Sequence, residues 1–192
     1  MEPLPEVIET ERLILKGLTT PSFKLAEEIY AVVDTSRDHL RPFLAWVDKT
    51  CRAEDVYQYL QKCQMQWDTG AEFNYQIILK QTQQTLGIID VSHISKDHKS
   101  GEIGYWLGKD FTGHGYMHEA VLALESVAFQ AGLNRIGIVN DTRNIPSAKV
   151  AEKAGYHLDG VLRQAVWQEA FSDFGDQNVW SKLKSDWTAQ QK

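Results

Sequence analysis

The stretch from Tyr105 to Met117 contains the residues whose spacing best suits a binding site. A strand-like segment runs into Gly113, His114 and Gly115, and a helical pattern begins directly after them. Free N–H groups in the first turn of a helix, together with the positive end of the helix dipole, attract anions. Glycine leaves room for a phosphate to approach the backbone. The pattern is consistent with an anion site, although glycines between a strand and a helix also form ordinary turns.

A second polar group follows at Asn144 and Ser147, which open a short helix that ends near Gly155. Asn144 is a good N-cap, and Pro146 suits the first helical turn. Ser147 lies on the same side of this helix as Asn144. Helix capping alone explains these residues locally, so neither of them by itself requires a catalytic function.

Histidine pairs raise the question of a metal site. His93 and His98 flank a turn, and His114 and His118 lie at the start of a helix. A pair at helical spacing can chelate zinc, but no third ligand at a telling spacing accompanies either pair. The serine-hydrolase pattern G-x-S-x-G is also missing from the sequence. We therefore predict neither a metal site nor a serine hydrolase.

The hydrophobic pattern predicts one α/β domain over residues 1–192 that positions these groups. Helical spacing recurs at Phe23, Ala26, Tyr30 and Val33, at Leu40, Phe43, Leu44 and Val47, and over 53–67, 115–132 and 146–154. Runs of β-branched and aromatic residues predict strands at 11–17, 72–80, 86–95, 101–108, 135–140, 156–162 and 176–184. The order β-α-α-α-β-β-β-α-β-α-β-β predicts a mixed, mostly antiparallel sheet with helices on both faces.

Composition excludes several functional classes. The 192 residues carry a net charge of −6, which gives no electrostatic basis for binding nucleic acid or an anionic membrane. The acidic N-terminus lacks the basic and apolar regions of a signal peptide. No apolar run approaches the roughly 18 residues needed to span a membrane. We expect a cytoplasmic protein without nucleic-acid or membrane partners.

Taken together and in this order, the two polar segments resemble the GNAT superfamily of acetyltransferases. The most similar branch acetylates the N-terminal alanine or serine of ribosomal proteins. The similarity runs through nearly the whole chain, in the segments ETERLILKG (9–17), GEIGYWLGKDFTGHGYMHEA (101–120) and NIPSAKVAEKAGYHLDGVLRQA (144–165), and in the pattern D-x-x-x-W-S-x-L-x-x-D-W (176–187). The sequence departs from the family's phosphate loop, Gln/Arg-x-x-Gly-x-Gly/Ala, by having Thr112 and Met117 at the first and last positions.

The resemblance implies a GNAT-type fold and acetyl-CoA as the co-substrate. It implies that the strand at 104–107 diverges from the strand at 136–140, which leaves a slot for the pantetheine arm. The backbone N–H groups of Gly113 to Met117 would hold the pyrophosphate, Asn144 would bond the arm, and Ser147 would lie near the departing sulfur. The cofactor-binding residues implied in this way are Tyr105, Trp106, Leu107, Thr112, Gly113, His114, Gly115, Tyr116, Met117, Asn144 and Ser147.

The implied reaction is direct attack of an amine on the thioester carbonyl, without a covalent enzyme intermediate. The amine must be neutral to attack, and the thiolate leaves more easily when a group protonates it, so an acid and a base are expected. Ser147 is the candidate catalytic group at the sulfur, and Tyr156 is a second one. The candidate bases, in order of preference, are Glu102, Asp110 and Asp90, although each of them, and Asp110 and Asp90 above all, is more typical of a solvated or ion-paired carboxylate.

The sequence leaves open which molecule accepts the acetyl group. The first hypothesis is the N-terminal amine of a ribosomal protein, and the second is a small amine such as a polyamine or an amino sugar. A third is a CoA-binding sensor with little activity, for which Thr112 and Met117 are the support. Four aromatic residues could shape the acceptor cleft, although aromatic residues are more often part of a core: Trp46, Trp167, Phe171 and Phe174. The resemblance suggests a homodimer.

Overall fold

The computed structural model describes residues 2–190, and its strands form one sheet. The strands are β1 (Val7–Glu9), β2 (Leu13–Gly17), β3 (Phe73–Leu79), β4 (Thr85–Ser95), β5 (Ser100–Leu107), β6 (Arg135–Asp141), β7 (His157–Gln168) and β8 (Asp173–Leu183). Their order across the sheet is β1-β2-β3-β4-β5-β6-β8-β7. All neighbours are antiparallel except β5 and β6, which are parallel. The predicted mixed, mostly antiparallel α/β fold is confirmed.

Helices cover both faces of this sheet. They are α1 (Phe23–Thr35), α2 (Arg37–Leu40), α3 (Ala53–Thr69), α4 (Tyr116–Gln130), α5 (Ile145–Lys153) and α6 (Lys184–Gln190). Buried side chains of α1, α2 and α3 pack with Ile88 on one face. Those of α4 and α5 pack on the other face with Ile89, Val91 and Ile103. Because side chains alternate along a strand, neighbouring residues of β4 and β5 point to opposite helical layers.

Two local predictions were wrong, and two short elements were missed. The helix predicted around Leu40–Val47 is only the single turn α2, followed by a 3-10 turn at Ala45–Lys49, because Pro42 has no N–H to donate and stops the helix. The last two strands form a longer hairpin than predicted. The short elements β1 and α6 were not predicted, since each has too few residues for a periodic pattern.

Strands β5 and β6 separate after a short paired stretch. They pair from Ser100 and Arg135 to Glu102 and Gly137, and no pairing continues beyond that point, whereas β6 stays paired with β8 along its whole length. The divergence that the resemblance implied is therefore present. It opens a wedge in the sheet, and the second half of β5 forms one side of it.

No helix within residues 2–190 is both long enough and apolar enough to cross a membrane. The same residues contain no group of three or more His, Cys, Asp or Glu side chains arranged to hold a metal ion.

Candidate active site

The turn between β5 and α4 exposes a continuous run of backbone amides. Gly113 and Gly115 have φ values of +81° and +79°, in the left-handed region that favours glycine. The first helical bond runs from the Glu119 N–H to the Gly115 carbonyl. Within the described part of the chain, the N–H groups from Gly113 to His118 have no acceptor. Such a run at the positive end of a 15-residue helix suits an anion with several oxygens.

A cleft of about 630 Å³ leads from this turn into the wedge between β5 and β6. Its walls are the end of β5, the turn, and the first residues of α4 and α5, with the segment after α2 on the far side. Of the residues predicted to bind the cofactor, those lining the cleft are Tyr105, Trp106, Leu107, Thr112, Gly113, Gly115, Tyr116, Met117, Asn144 and Ser147. His114 is not part of this lining. Its exposed ring lies beside Tyr116, with 5.6 Å between the ring centroids.

Asn144 and Ser147 lie where the wedge meets α5. The Asn144 side chain accepts a hydrogen bond of 3.2 Å from the Ser147 N–H, which confirms the predicted N-cap. The Ser147 hydroxyl lies 3.1 Å from the hydroxyl of Tyr105, which reaches across from β5. Burial raises the pKa of Tyr105 to about 12, so this hydroxyl stays protonated at neutral pH. The structure therefore brings Tyr105, Asn144 and Ser147 together at one end of the cleft.

The sequence analysis missed the cationic side chains along the cleft. Lys149 and Lys153 lie on α5 beyond Ser147, and His118 lies on the first turn of α4. The positive charge of the two lysines and the free amides of the turn fit a co-substrate that carries phosphate groups. The spacing of Lys149 and Lys153, one helical turn apart after Ser147, is the signal from which both could have been found.

None of the three candidate bases lines the cleft. Asp110 lies in the 3-10 turn Lys109–Phe111 and contributes to a separate groove with Ser36 and Gln84, so the structure does not bring it to Ser147. Glu102 pairs with Gly137 of β6 at the closed end of the wedge, and its half-exposed carboxylate lies 3.6 Å from His93 Nδ1.

Asp90 occupies a different environment from the other two carboxylates. It is paired with Gly104, and its Oδ2 lies 2.8 Å from where a Cβ on Gly104 would be. Burial, and next the nearby charge of Glu72, raise the pKa of Asp90 to about 6. Asp90 and Glu102 share the sheet face covered by α1 and α3, opposite to that of Ser147. The wedge is a gap in the sheet, so it is open to both of these faces.

Tyr156 is not part of the cleft. Its ring is buried, and Lys182 Nζ lies 5.7 Å from the ring centroid. Lys182 itself forms a buried ion pair of 2.6 Å with Glu125. Burial, and next the charge of Glu125, raise the pKa of Tyr156 well above its usual value. Tyr156 is thus buried in the core beneath α4 and α5, and it does not line the cleft beside Ser147.

The other end of the cleft is aromatic. Phe43, in the segment after α2, contacts Phe171 at the tip of the β7–β8 hairpin, with 6.0 Å between the centroids. Arg143 lies over Phe171 at 4.0 Å and is held by Asp141 through bonds of 2.9 and 2.7 Å. Trp46 packs against Trp106. The hairpin residues Trp167, Phe171 and Phe174 are 49%, 42% and 52% exposed, so they are surface residues and not core.

The fold and the cleft with its free amides are suited to an acyltransferase that uses a coenzyme A thioester. The model of the acetyltransferase (GNAT) domain family matches residues 12–157. The uncharacterized N-acetyltransferase YoaA of Bacillus subtilis is 28% identical over 179 residues, covering 93% of this chain and 97% of YoaA. The ribosomal-protein-serine acetyltransferase of Escherichia coli is 28% identical over 157 residues, covering 81% of this chain and 85% of that protein.

Solved structures show the same fold. RimL, a ribosomal L7/L12 α-N-protein acetyltransferase in complex with coenzyme A, superposes with a TM-score of 0.86 at 22% identity, over 94% of this chain and 99% of RimL. The microcin C7 self-immunity acetyltransferase MccE, in complex with acetyl-CoA and AMP, gives 0.85 at 24% identity, over 95% and 98%. This chain belongs to the GNAT family of acetyltransferases and uses acetyl-CoA as its acetyl donor.

Proposed function

We propose that this enzyme transfers the acetyl group of acetyl-CoA to the N-terminal amine of a protein, with ribosomal proteins as the first candidate acceptors. The observation that carries the proposal is the continuous cleft from the free amides of Gly113–His118, through the wedge, to Ser147. A diphosphate on those amides and an acyl thioester beside Ser147 would be joined by the pantetheine arm. Lys149 and Lys153 would attract the phosphate of coenzyme A that is not part of the diphosphate.

In this mechanism Ser147 acts on the leaving group. Its hydroxyl donates a hydrogen bond to the departing sulfur, and the Tyr105 hydroxyl, 3.1 Å away, fixes the direction of the Ser147 hydroxyl. The proton of the attacking amine passes through water to a carboxylate on the opposite face of the sheet, since no candidate carboxylate lines the cleft itself. Asp90 is the best candidate, because a carboxylate with a pKa of about 6 is ionised at neutral pH and still a useful base.

The acceptor assignment rests on the surface around the cleft and on one relative. An acceptor amine reaches the wedge from the side of Phe43, next to the hairpin on which Trp167 and Phe174 are half exposed. Exposed aromatic side chains are suited to contacts with a polypeptide. The relative in Escherichia coli is a ribosomal-protein-serine acetyltransferase. A cytoplasmic location and a homodimer stay predictions.

Mass spectrometry of acetylated products tests the acceptor. The purified enzyme and acetyl-CoA would be incubated with intact ribosomal proteins, N-terminal peptides, polyamines and amino sugars, while free thiol release is followed. We expect one acetyl group on an N-terminal residue. Acetylation of the small amines alone would establish the second hypothesis. Coenzyme A binding without turnover on any acceptor would establish the third hypothesis, a CoA-binding sensor.

A pH profile tests the base. With Asp90 as the base, kcat/KM of the wild type falls as the pH drops through about 6, because the proton blocks the carboxylate. We expect the Asp90→Asn variant to lose this acidic limb and most of its activity at neutral pH. The matched variant Glu102→Gln keeps the limb. An unchanged limb in Asp90→Asn together with a lost limb in Glu102→Gln would assign the base to Glu102.

Stability gives an independent readout for the same residue. The pKa of Asp90 is higher in the folded protein than its ordinary value of 3.8. The stability linked to this group is therefore fully present below about pH 4 and is lost as the pH rises through about 6. We expect Asp90→Asn to raise Tm relative to the wild type, and to raise it more at alkaline than at acidic pH. A Tm difference that is constant with pH would contradict the raised pKa.

A further inference from the structure

Arg12 connects the start of β2 to the turn that precedes α4. Its backbone N–H and its Nε donate to the two carboxylate oxygens of Glu119, at 2.9 and 2.7 Å. Its Nη1 donates to the carbonyl of His114 at 3.0 Å. The guanidinium also lies over the Tyr116 ring, 4.7 Å from its centroid. One side chain from the residue that precedes β2 thus holds three residues of the turn and of the first turn of α4.

The Glu119 carboxylate places a negative charge near the free amides, and Arg12 compensates this charge. Glu119 lies in the first turn of α4, next to the free amides, where an unpaired negative charge would repel a phosphate. Burial alone would raise the pKa of Glu119, but the hydrogen bonds from Thr10 and Arg12 outweigh it and hold that pKa below its usual value. Glu119 is therefore ionised, and the ion pair with Arg12 compensates its charge.

Arg12 also lies close to the expected anion position. Its Nη2 is 3.5 Å from where a Cβ on Gly115 would be, and its side chain is 42% exposed. Its bond satisfies the His114 carbonyl within the turn whose N–H groups have no acceptor. At Thr112 the chain lacks the long polar side chain that the family pattern has there. The structure places the Arg12 guanidinium, from the residue that precedes β2, beside this turn.

We propose that Arg12 is a positioning residue for the diphosphate-binding turn, which it holds in the binding conformation while it neutralises Glu119. The proposal rests on the proposed location of the cofactor in this turn. It predicts that Arg12 matters for ligands that contain the diphosphate and not for the acyl end of the molecule. A residue that only stabilised the fold would affect both.

Calorimetry with coenzyme A tests the proposal directly. We expect Arg12→Ala to raise the Kd for coenzyme A at least about tenfold, the loss expected for one charge-assisted contact and its partner's unpaired charge. Arg12→Lys keeps the charge but loses the forked geometry, so we expect an intermediate Kd. Adding Glu119→Gln to Arg12→Ala removes the unpaired carboxylate and should recover part of the affinity. Arg135→Ala is the matched control, because Arg135 is 39% exposed and ion-paired to Asp159 away from the cleft.

Kinetics with S-acetylpantetheine, which has no phosphate, separates positioning from folding. Arg12→Ala should raise KM for acetyl-CoA while kcat/KM for S-acetylpantetheine stays at the wild-type value. A wild-type Kd for coenzyme A in Arg12→Ala, or equal losses with both thioesters, would overturn the role of Arg12. If a bulky residue at Gly115 weakens binding and Arg12→Ala does not, only the inference on Arg12 fails. If the variant at Gly115 also binds coenzyme A with the wild-type Kd, both the inference on Arg12 and the proposed cofactor site are wrong.

Discussion

Replacing Gly115 with leucine is expected to weaken coenzyme A binding about 100-fold or more, because two or more charge-assisted hydrogen bonds would be lost at once. The φ of Gly115 is +79°, so a side chain there strains the turn that presents the amides. A Cβ would lie 3.5 Å from Arg12 Nη2, on the side where the anion is proposed to bind. The side chain therefore both distorts the turn and excludes the phosphate. Isothermal titration calorimetry measures the loss.

Gly70 is the matched control for this variant. It also has a positive φ, +66°, and the nearest side-chain atom to its Cβ position is 3.9 Å away. Leucine at Gly70 imposes a comparable backbone strain of about 1–2 kcal/mol at the end of α3, far from the cleft. We expect both variants to lose similar stability and only the Gly115 variant to lose coenzyme A binding. Equal affinity in the two variants would show that the turn holds no phosphate.

Replacing Ser147 with alanine is expected to lower kcat about 100-fold, the lower end of what a positioned proton donor contributes. The Kd for coenzyme A should change little. Alanine keeps the backbone N–H that bonds to the Asn144 side chain, and it is favourable within a helix, so α5 should stay intact. The measurement is steady-state kinetics combined with calorimetry on the same preparation.

Tyr105→Phe is the companion variant for Ser147. It removes the hydroxyl that lies 3.1 Å from the Ser147 hydroxyl and leaves Ser147 in place. We expect a smaller loss of kcat than in Ser147→Ala, because the serine keeps its hydroxyl but not its fixed direction. The double variant should be little slower than Ser147→Ala alone, since both hydrogen bonds of the Tyr105 hydroxyl go to Ser147, at its hydroxyl and at its carbonyl oxygen. A wild-type kcat in Ser147→Ala would remove Ser147 from the mechanism.

Local features of the site were predictable from the sequence because their causes are local. Glycines at 113 and 115 between a strand and a helix predict a turn with exposed amides, and Asn144 before Pro146 predicts a capped helix. Both predictions concern a few consecutive residues. The wedge between β5 and β6 was expected only from the resemblance, because the pairing of strands distant in sequence leaves no local pattern.

Features that depend on distant residues were missed. Arg12 and Glu119 are 107 positions apart, and nothing in either segment indicates the partner. The burial of Asp90 depends on its pairing with Gly104, so its pKa could not be predicted from composition. Asp110 is close to the turn in sequence, but the 3-10 turn directs it to another groove. Proximity along the chain does not fix the direction of a side chain.

The central claim is that the free amides of Gly113–His118 bind the diphosphate of the co-substrate. A crystal structure of the enzyme with coenzyme A tests it most directly. The claim predicts diphosphate oxygens within about 3.2 Å of several of these nitrogens, and the thiol next to Ser147. Coenzyme A bound elsewhere, with this turn vacant or filled by the protein's own side chains, would contradict it.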